Sequence, residues 1–226
     1  GGGQVARSPA ELLEGNPETM YFFSGYYVGS GNDISVDDYQ SMSDQTIRDR
    51  IDSRIYQTDD WGVKRSTYLN EDTLGYVLLD IEGPFSLGGI RNMTNDEITW
   101  FVEGLIRRIN IFREFCPNAK IGVWRYGDGL KPDVGVEELE SQIQNFVTAS
   151  NVRYEGNSFY DSVDFLSPAN YMYLDNTPCW DDGERTRILA GHRTDSLQKV
   201  CNAIIASGSV VKPVIPIFAF SSQAYN

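Results

Sequence analysis

The sequence predicts an α/β protein with a mainly parallel sheet, built as an open sheet or as a (β/α) barrel. Strand-length apolar runs alternate with helical stretches from Met20 to Phe220. One of those runs, Tyr76-Val77-Leu78-Leu79-Asp80-Ile81-Glu82-Gly83-Pro84, stops abruptly in two acids and a Gly-Pro, as a buried strand does on reaching a loop. The 226 residues, 41% hydrophobic and 12% aromatic, suffice for one sizeable core.

Taken in order, residues 1–18 are mixed and polar and read as an N-terminal arm, with a short helical stretch at Pro9–Glu14; residues 19–226 read as the barrel-type domain. Met20–Val28 is aromatic and β-prone, and Gly29–Asp33 breaks it. Asp37–Tyr56 is polar with scattered apolar positions and reads as one helix, followed by a loop with a short strand over Trp61–Thr73. The acidic strand runs over Leu74–Glu82. Thr94 and Glu97 form a capping box that opens a helix to about Phe115, with Ile98, Phe101, Val102, Leu105, Ile106, Ile109 and Phe112 in one stripe. Pro117 stops it. Lys120–Tyr126 is the next strand, Val136–Ser150 a helix, Val163–Tyr173 a strand, Glu184–Ser207 a helix ending at Gly208, and Val211–Phe220 the last strand. Five strands fall short of the roughly eight of a closed barrel, so either weak strands are missing from this reading or the barrel is incomplete.

A net charge of −13 argues against nucleic acid and anionic membranes as partners, since both select basic patches. No stretch reads as a membrane span. The three cysteines, Cys116, Cys179 and Cys201, lack metal-ligand spacing, and the lone His192 anchors no zinc site, so neither a metal nor a cofactor is expected. One disulfide with a free thiol, and three buried thiols, both stand open. A single acceptor site, Asn92-Met93-Thr94, points weakly toward an extracellular or surface location. The Gly1-Gly2-Gly3 start without methionine suggests a processed or excised piece of a larger chain or assembly.

On a strand, Leu78, Asp80 and Glu82 share one face and Val77, Leu79 and Ile81 the other. Two carboxylates at i and i+2 have α-carbons about 6–7 Å apart. Such a pair splits its pKa values for acid/base work on a glycoside, binds magnesium, or serves structure as a helix cap or an ion pair with Arg91. Trp124 and Tyr126 share a face and suit the floor of a sugar site, or else a core Trp and a rim Tyr; Arg125 points the other way, as an ion-pair partner. Asn170, Tyr171 and Tyr173 end the following strand. Three successive strands with polar or aromatic C-terminal ends predict a lined pocket.

Together these stretches resemble the hyaluronidase family of glycoside hydrolases and, more distantly, the chitinase-like glycosidases. The resemblance rests on Asp80-Ile81-Glu82, Trp124-Arg125-Tyr126, Pro168-Ala169-Asn170-Tyr171 and Lys212–Phe218, in matching order over residues 74–220. It implies a TIM-type (β/α) barrel, incomplete at its C-terminal end. It also implies endo-acting hydrolysis of an N-acetylhexosamine-containing polysaccharide by a substrate-assisted retaining mechanism. Glu82 is then the acid/base, Asp80 and Tyr171 orient the acetamido group, and Trp124, Tyr126, Asn170 and Tyr173 bind substrate. Gly83-Pro84-Phe85 and Gly127-Asp128-Gly129 depart from the family pattern. Two alternatives remain: an inactive glycan-binding or structural barrel module of a surface assembly, and a metal-dependent phosphodiesterase barrel, for which one histidine is poor support.

Overall fold

In the computed structural model the described residues are 20–31, 33–58, 62, 64–66, 69–81, 86–126, 136–173, 183–208 and 210–221; for 57–58, 64–66, 136, 170–173, 183–193 and 218–221 this means the backbone path alone. The 1–18 arm lies outside them.

The described chain is mixed α/β. Strand β1 (Met20–Ser24) leads through a 3-10 turn (Gly25–Val28) to helices α1 (Val36–Ser41) and α2 (Asp44–Ile55). A small hairpin, β2 (Tyr56–Thr58) and β3 (Lys64–Ser66), precedes β4 (Tyr76–Asp80), a second 3-10 turn (Leu87–Asn92) and α3 (Asn95–Phe115). Then follow β5 (Lys120–Trp124), α4 (Val136–Asn151), the hairpin β6 (Arg153–Tyr154) and β7 (Asn157–Ser158), and α5 (Phe159–Ser162). Last come β8 (Phe165–Ser167), β9 (Ala169–Tyr173), α6 (Gly183–Ser207) and β10 (Ile217–Ser221).

Four strands form a parallel sheet in the order β1-β4-β5-β8. Pro168 interrupts what is otherwise one strand through β8 and β9, because its nitrogen has no proton for the ladder. The segment leading into β10 spans the interruption: Leu166 N–H donates to Pro213 O (2.9 Å), Ile215 N–H to Leu166 O (2.8 Å) and Ile217 N–H to Pro168 O (3.0 Å). Beyond it β10 and β9 pair in parallel from Ile217↔Ala169 to Ser221↔Tyr173. Each large strand therefore lies beside its predecessor in the chain, an order that winds one way, without the reversal of a doubly wound sheet. Among the described residues β1 and β10 each pair on one side only, and no closed barrel forms.

One core joins the sheet to its helices. Val77, Leu79 and Ile81 pack with Phe23, Ile121 and Val123 beneath the α3 stripe of Ile98, Phe101, Val102, Leu105, Ile106, Ile109 and Phe112. Ile47, Ile51 and Ile55 bring α2 to the same core at four-residue spacing, and Phe146, Val200 and Ile204 bring α4 and α6. Each such side chain contributes about 1.5–3 kcal/mol by leaving water. On the opposite face Leu78 and Phe165 are also buried, and the Phe165 ring lies over Gly122, where any β-carbon would collide with it. Gly122 is small because Phe165 is large.

Three elements differ from the sequence expectation. The expected single helix over 37–56 is two, because Ser43 leaves helical geometry and its hydroxyl accepts the Thr46 N–H (3.1 Å). The expected strand over 163–173 is broken by Pro168 and preceded by the short helix α5. The last strand is confined to β10, with Val214 bridging to Leu166 ahead of it. The capping box of α3 is formed: Glu97 N–H donates to Thr94 Oγ1 (3.3 Å) and Thr94 N–H to Glu97 Oε2 (2.8 Å). Cys116 and Cys201 are free and buried; Cys179 lies outside the described residues. No helix among the described residues is long and apolar enough to cross a membrane.

Candidate functional site

Strand register places a row of side chains along the face opposite the helix-side core, at the C-terminal ends of the parallel strands. Ser24 pairs with Asp80, and Trp124 with Ser167. Asp80 and Trp124 stand one position beyond the paired Leu79 and Val123. One level down the row is Phe22, Leu78, Gly122 and Phe165. This face is thus apolar within and polar or aromatic at its rim, with the half-buried Asp80 and Trp124 adjacent. Gly25 lets the two strand ends meet, since a β-carbon there would collide with the carbonyl oxygens of Asp80 and Ser30. The Ser167 hydroxyl donates to Ile215 O (3.0 Å) and so serves the sheet.

Tyr126 does not join this row. Alternation holds only to Trp124, because Arg125 adopts a left-handed backbone (φ 65°) and turns the chain under the sheet. Tyr126 is then 0% exposed in the helix-side core, its ring 4.5 Å from Phe159 and its hydroxyl donating to Ser150 Oγ (2.7 Å). Burial pushes its phenol pKa up. The expectation that Trp124 and Tyr126 together floor a sugar site is therefore corrected: Trp124 alone faces the row. The same turn sets the Arg125 guanidinium against Gly88 and 6.0 Å from the Trp124 ring.

The rim loop after β4 is fixed by a residue that the motif reading missed. Asn145, on α4, donates its side-chain amide to the carbonyls of Ile90 (3.1 Å), Arg91 (3.1 Å) and Met93 (3.2 Å). Asparagine is a poor residue for a helix interior, and that misfit was its signal in the sequence.

Glu82 lies outside the described residues. For Asn170, Tyr171 and Tyr173 the backbone alone is placed, in β9, paired with Phe218, Ala219 and Ser221. Among the described residues no group of three or more His, Cys, Asp or Glu side chains gathers as a metal would require.

No family model matches the chain, and no curated protein gives a significant match. Among solved structures, the crystal structure of bee venom hyaluronidase in complex with a hyaluronic acid tetramer aligns with 96% of this chain and 74% of its own. The two are 9% identical, with a TM-score of 0.45.

Proposed function

We propose that the protein is a glycoside hydrolase built on an incomplete (β/α) barrel, acting on an N-acetylhexosamine-containing polysaccharide at the cell surface or outside the cell. The observation that supports this reading is the juxtaposition of Asp80 and Trp124 on the face opposite the helix-side core, at the C-terminal ends of the strands. Parallel α/β proteins keep their chemistry at that end. A carboxylate beside an indole face suits a sugar ring, which presents polar groups at its edge and C–H bonds on its face.

In this reading Glu82 protonates the leaving glycosidic oxygen while the substrate's own acetamido oxygen attacks the anomeric carbon. Asp80 and Tyr171 hold the acetamido group in line. Glu82, now a carboxylate, takes a proton from water as that water opens the cyclic intermediate, which restores the acid and retains the anomeric configuration. Trp124 supplies the platform, with Asn170 and Tyr173 as further contacts; Tyr126 has no part in it. A glycan-binding module without turnover is the second reading, and the open sheet among the described residues favours it.

Release of reducing ends from a panel of N-acetylhexosamine polymers tests both. The expected outcome is EDTA-insensitive turnover that falls about 10²–10⁴-fold in Glu82→Gln and in Asp80→Asn with folding retained. Polymer binding that survives Glu82→Gln, with no turnover by the wild type on any polymer, replaces the hydrolase with the binding module.

A further inference from the structure

A groove of about 300 Å³ opens on the helical side of the sheet, between α1, α3 and the β6–β7 hairpin, away from the row at the strand ends. Trp100, Gly104, Arg107 and Arg108 reach it from one side of α3, at i, i+4, i+7 and i+8. Tyr39 from α1 and Tyr154 from the hairpin add further aromatic wall.

Arg108 sets the chemistry of the groove. It is 1% exposed, within an otherwise apolar stripe, and its guanidinium carbon lies 3.7 Å from the Tyr39 ring centroid. It donates to three backbone carbonyls, those of Gly104 (3.0 Å), Tyr39 (2.8 Å) and Gly29 (3.3 Å), while its Nε finds no protein acceptor. No carboxylate pairs with it among the described residues. Burial without a counter-ion lowers its pKa, the direction desolvation imposes on a cation. The neighbouring Arg107 holds Asp44 and the Met42 carbonyl (2.7 Å). Glu103 and Gln40 also line the groove, and among the described residues the two arginines bond to Asp44 and to backbone carbonyls rather than to Glu103.

A positive charge in the floor, an indole in the wall and free acceptors beside them describe a complementary ligand. The floor charge attracts an anion strongly because little water screens it. The indole favours a ring face, and the acceptors favour hydroxyl donors. We propose that the groove binds a small sugar acid: its carboxylate held over Arg108 and beside Arg107, its ring against Trp100, its hydroxyls donating to Glu103 and Gln40. This second site is independent of the hydrolase reading, because no residue of the strand-end row contributes to it.

Titration of the full chain with glucuronate, followed by calorimetry, tests it, with glucose as the uncharged control. Saturable glucuronate binding is expected, with glucose at least about tenfold weaker, a difference of about 1.4 kcal/mol. Trp100→Ala is expected to weaken it about tenfold, whereas Asp80→Asn leaves it unchanged. Arg107→Gln, which keeps the apolar stripe of α3 intact, is expected to weaken it as well and carries the test if the Trp100 variant loses its circular dichroism spectrum. The proposal is overturned by no saturation, by equal binding of glucose, by indifference to both groove variants, or by loss of binding in Asp80→Asn. The last result assigns the sugar acid to the strand-end row.

Discussion

Arg125 decides what its two neighbours do. A left-handed backbone costs a non-glycine residue about 1–2 kcal/mol, and here it sends Trp124 and Tyr126 to opposite sides of the sheet. Their substitutions accordingly separate. Tyr126→Phe removes one buried hydroxyl–hydroxyl bond and is expected to lower stability by about 0.5–1.5 kcal/mol in urea titrations, with glycan binding and turnover unchanged. Trp124→Ala is expected to remove glycan binding and, since the indole is half-buried, to lower the urea midpoint while leaving the chain folded. A loss of binding in the Tyr126 variant at full stability contradicts the assignment. Strict alternation reads Trp124 and Tyr126 as one face, and nothing in Trp-Arg-Tyr announces the turn, which glycine or asparagine would have signalled. The buried Arg108 went unnoticed among the apolar positions of its helix, and its carbonyl partners lie as far as 79 residues away along the chain.

At the scale of elements, local chemistry was readable and pairing was not. The Thr94–Glu97 box and the α3 stripe involve residues three and four apart, and both stand as the sequence implies. The β6–β7 hairpin escaped notice although Glu155-Gly156 is a two-residue turn sequence; both residues have positive φ (50° and 90°), as a type I′ turn requires. Two substitutions test how elements hold the rim. Thr94→Ala is expected to cost about 1 kcal/mol and leave the rim loop ordered. Asn145→Leu frees three carbonyls at once, so it is expected to cost about 1–3 kcal/mol and to speed amide hydrogen exchange selectively around residues 90–93. Uniform acceleration across α4 would show instead that Asn145 supports its own helix.

For the whole molecule, the core carries acids that burial keeps protonated. Desolvation pushes the thiols of Cys116 and Cys201 up to about 12 and about 11, with the charge of Glu71 adding to the first, and raises the phenols of Tyr39 and Tyr126. A folded-state pKa above the unfolded one contributes stability that is complete below the unfolded value and is lost as pH rises through the folded one. Stability is thus expected to hold up to about pH 9 and to fall between there and about pH 12. Replacing Cys116 and Cys201 together by alanine should flatten the first part of that decline; an unchanged profile would place the alkaline sensitivity elsewhere. The five large strands were visible in the sequence because each is a local apolar run. Whether they close into a barrel was not, because closure depends on edges that no local pattern specifies. The strand order also has a consequence for synthesis. Since β4 pairs with β1, β5 with β4 and β8 with β5, the growing sheet always offers its newest edge to the next strand leaving the ribosome. Each α/β unit can dock on what has already emerged, and among the described residues no large strand of this sheet takes its first partner from more than one step away in that order.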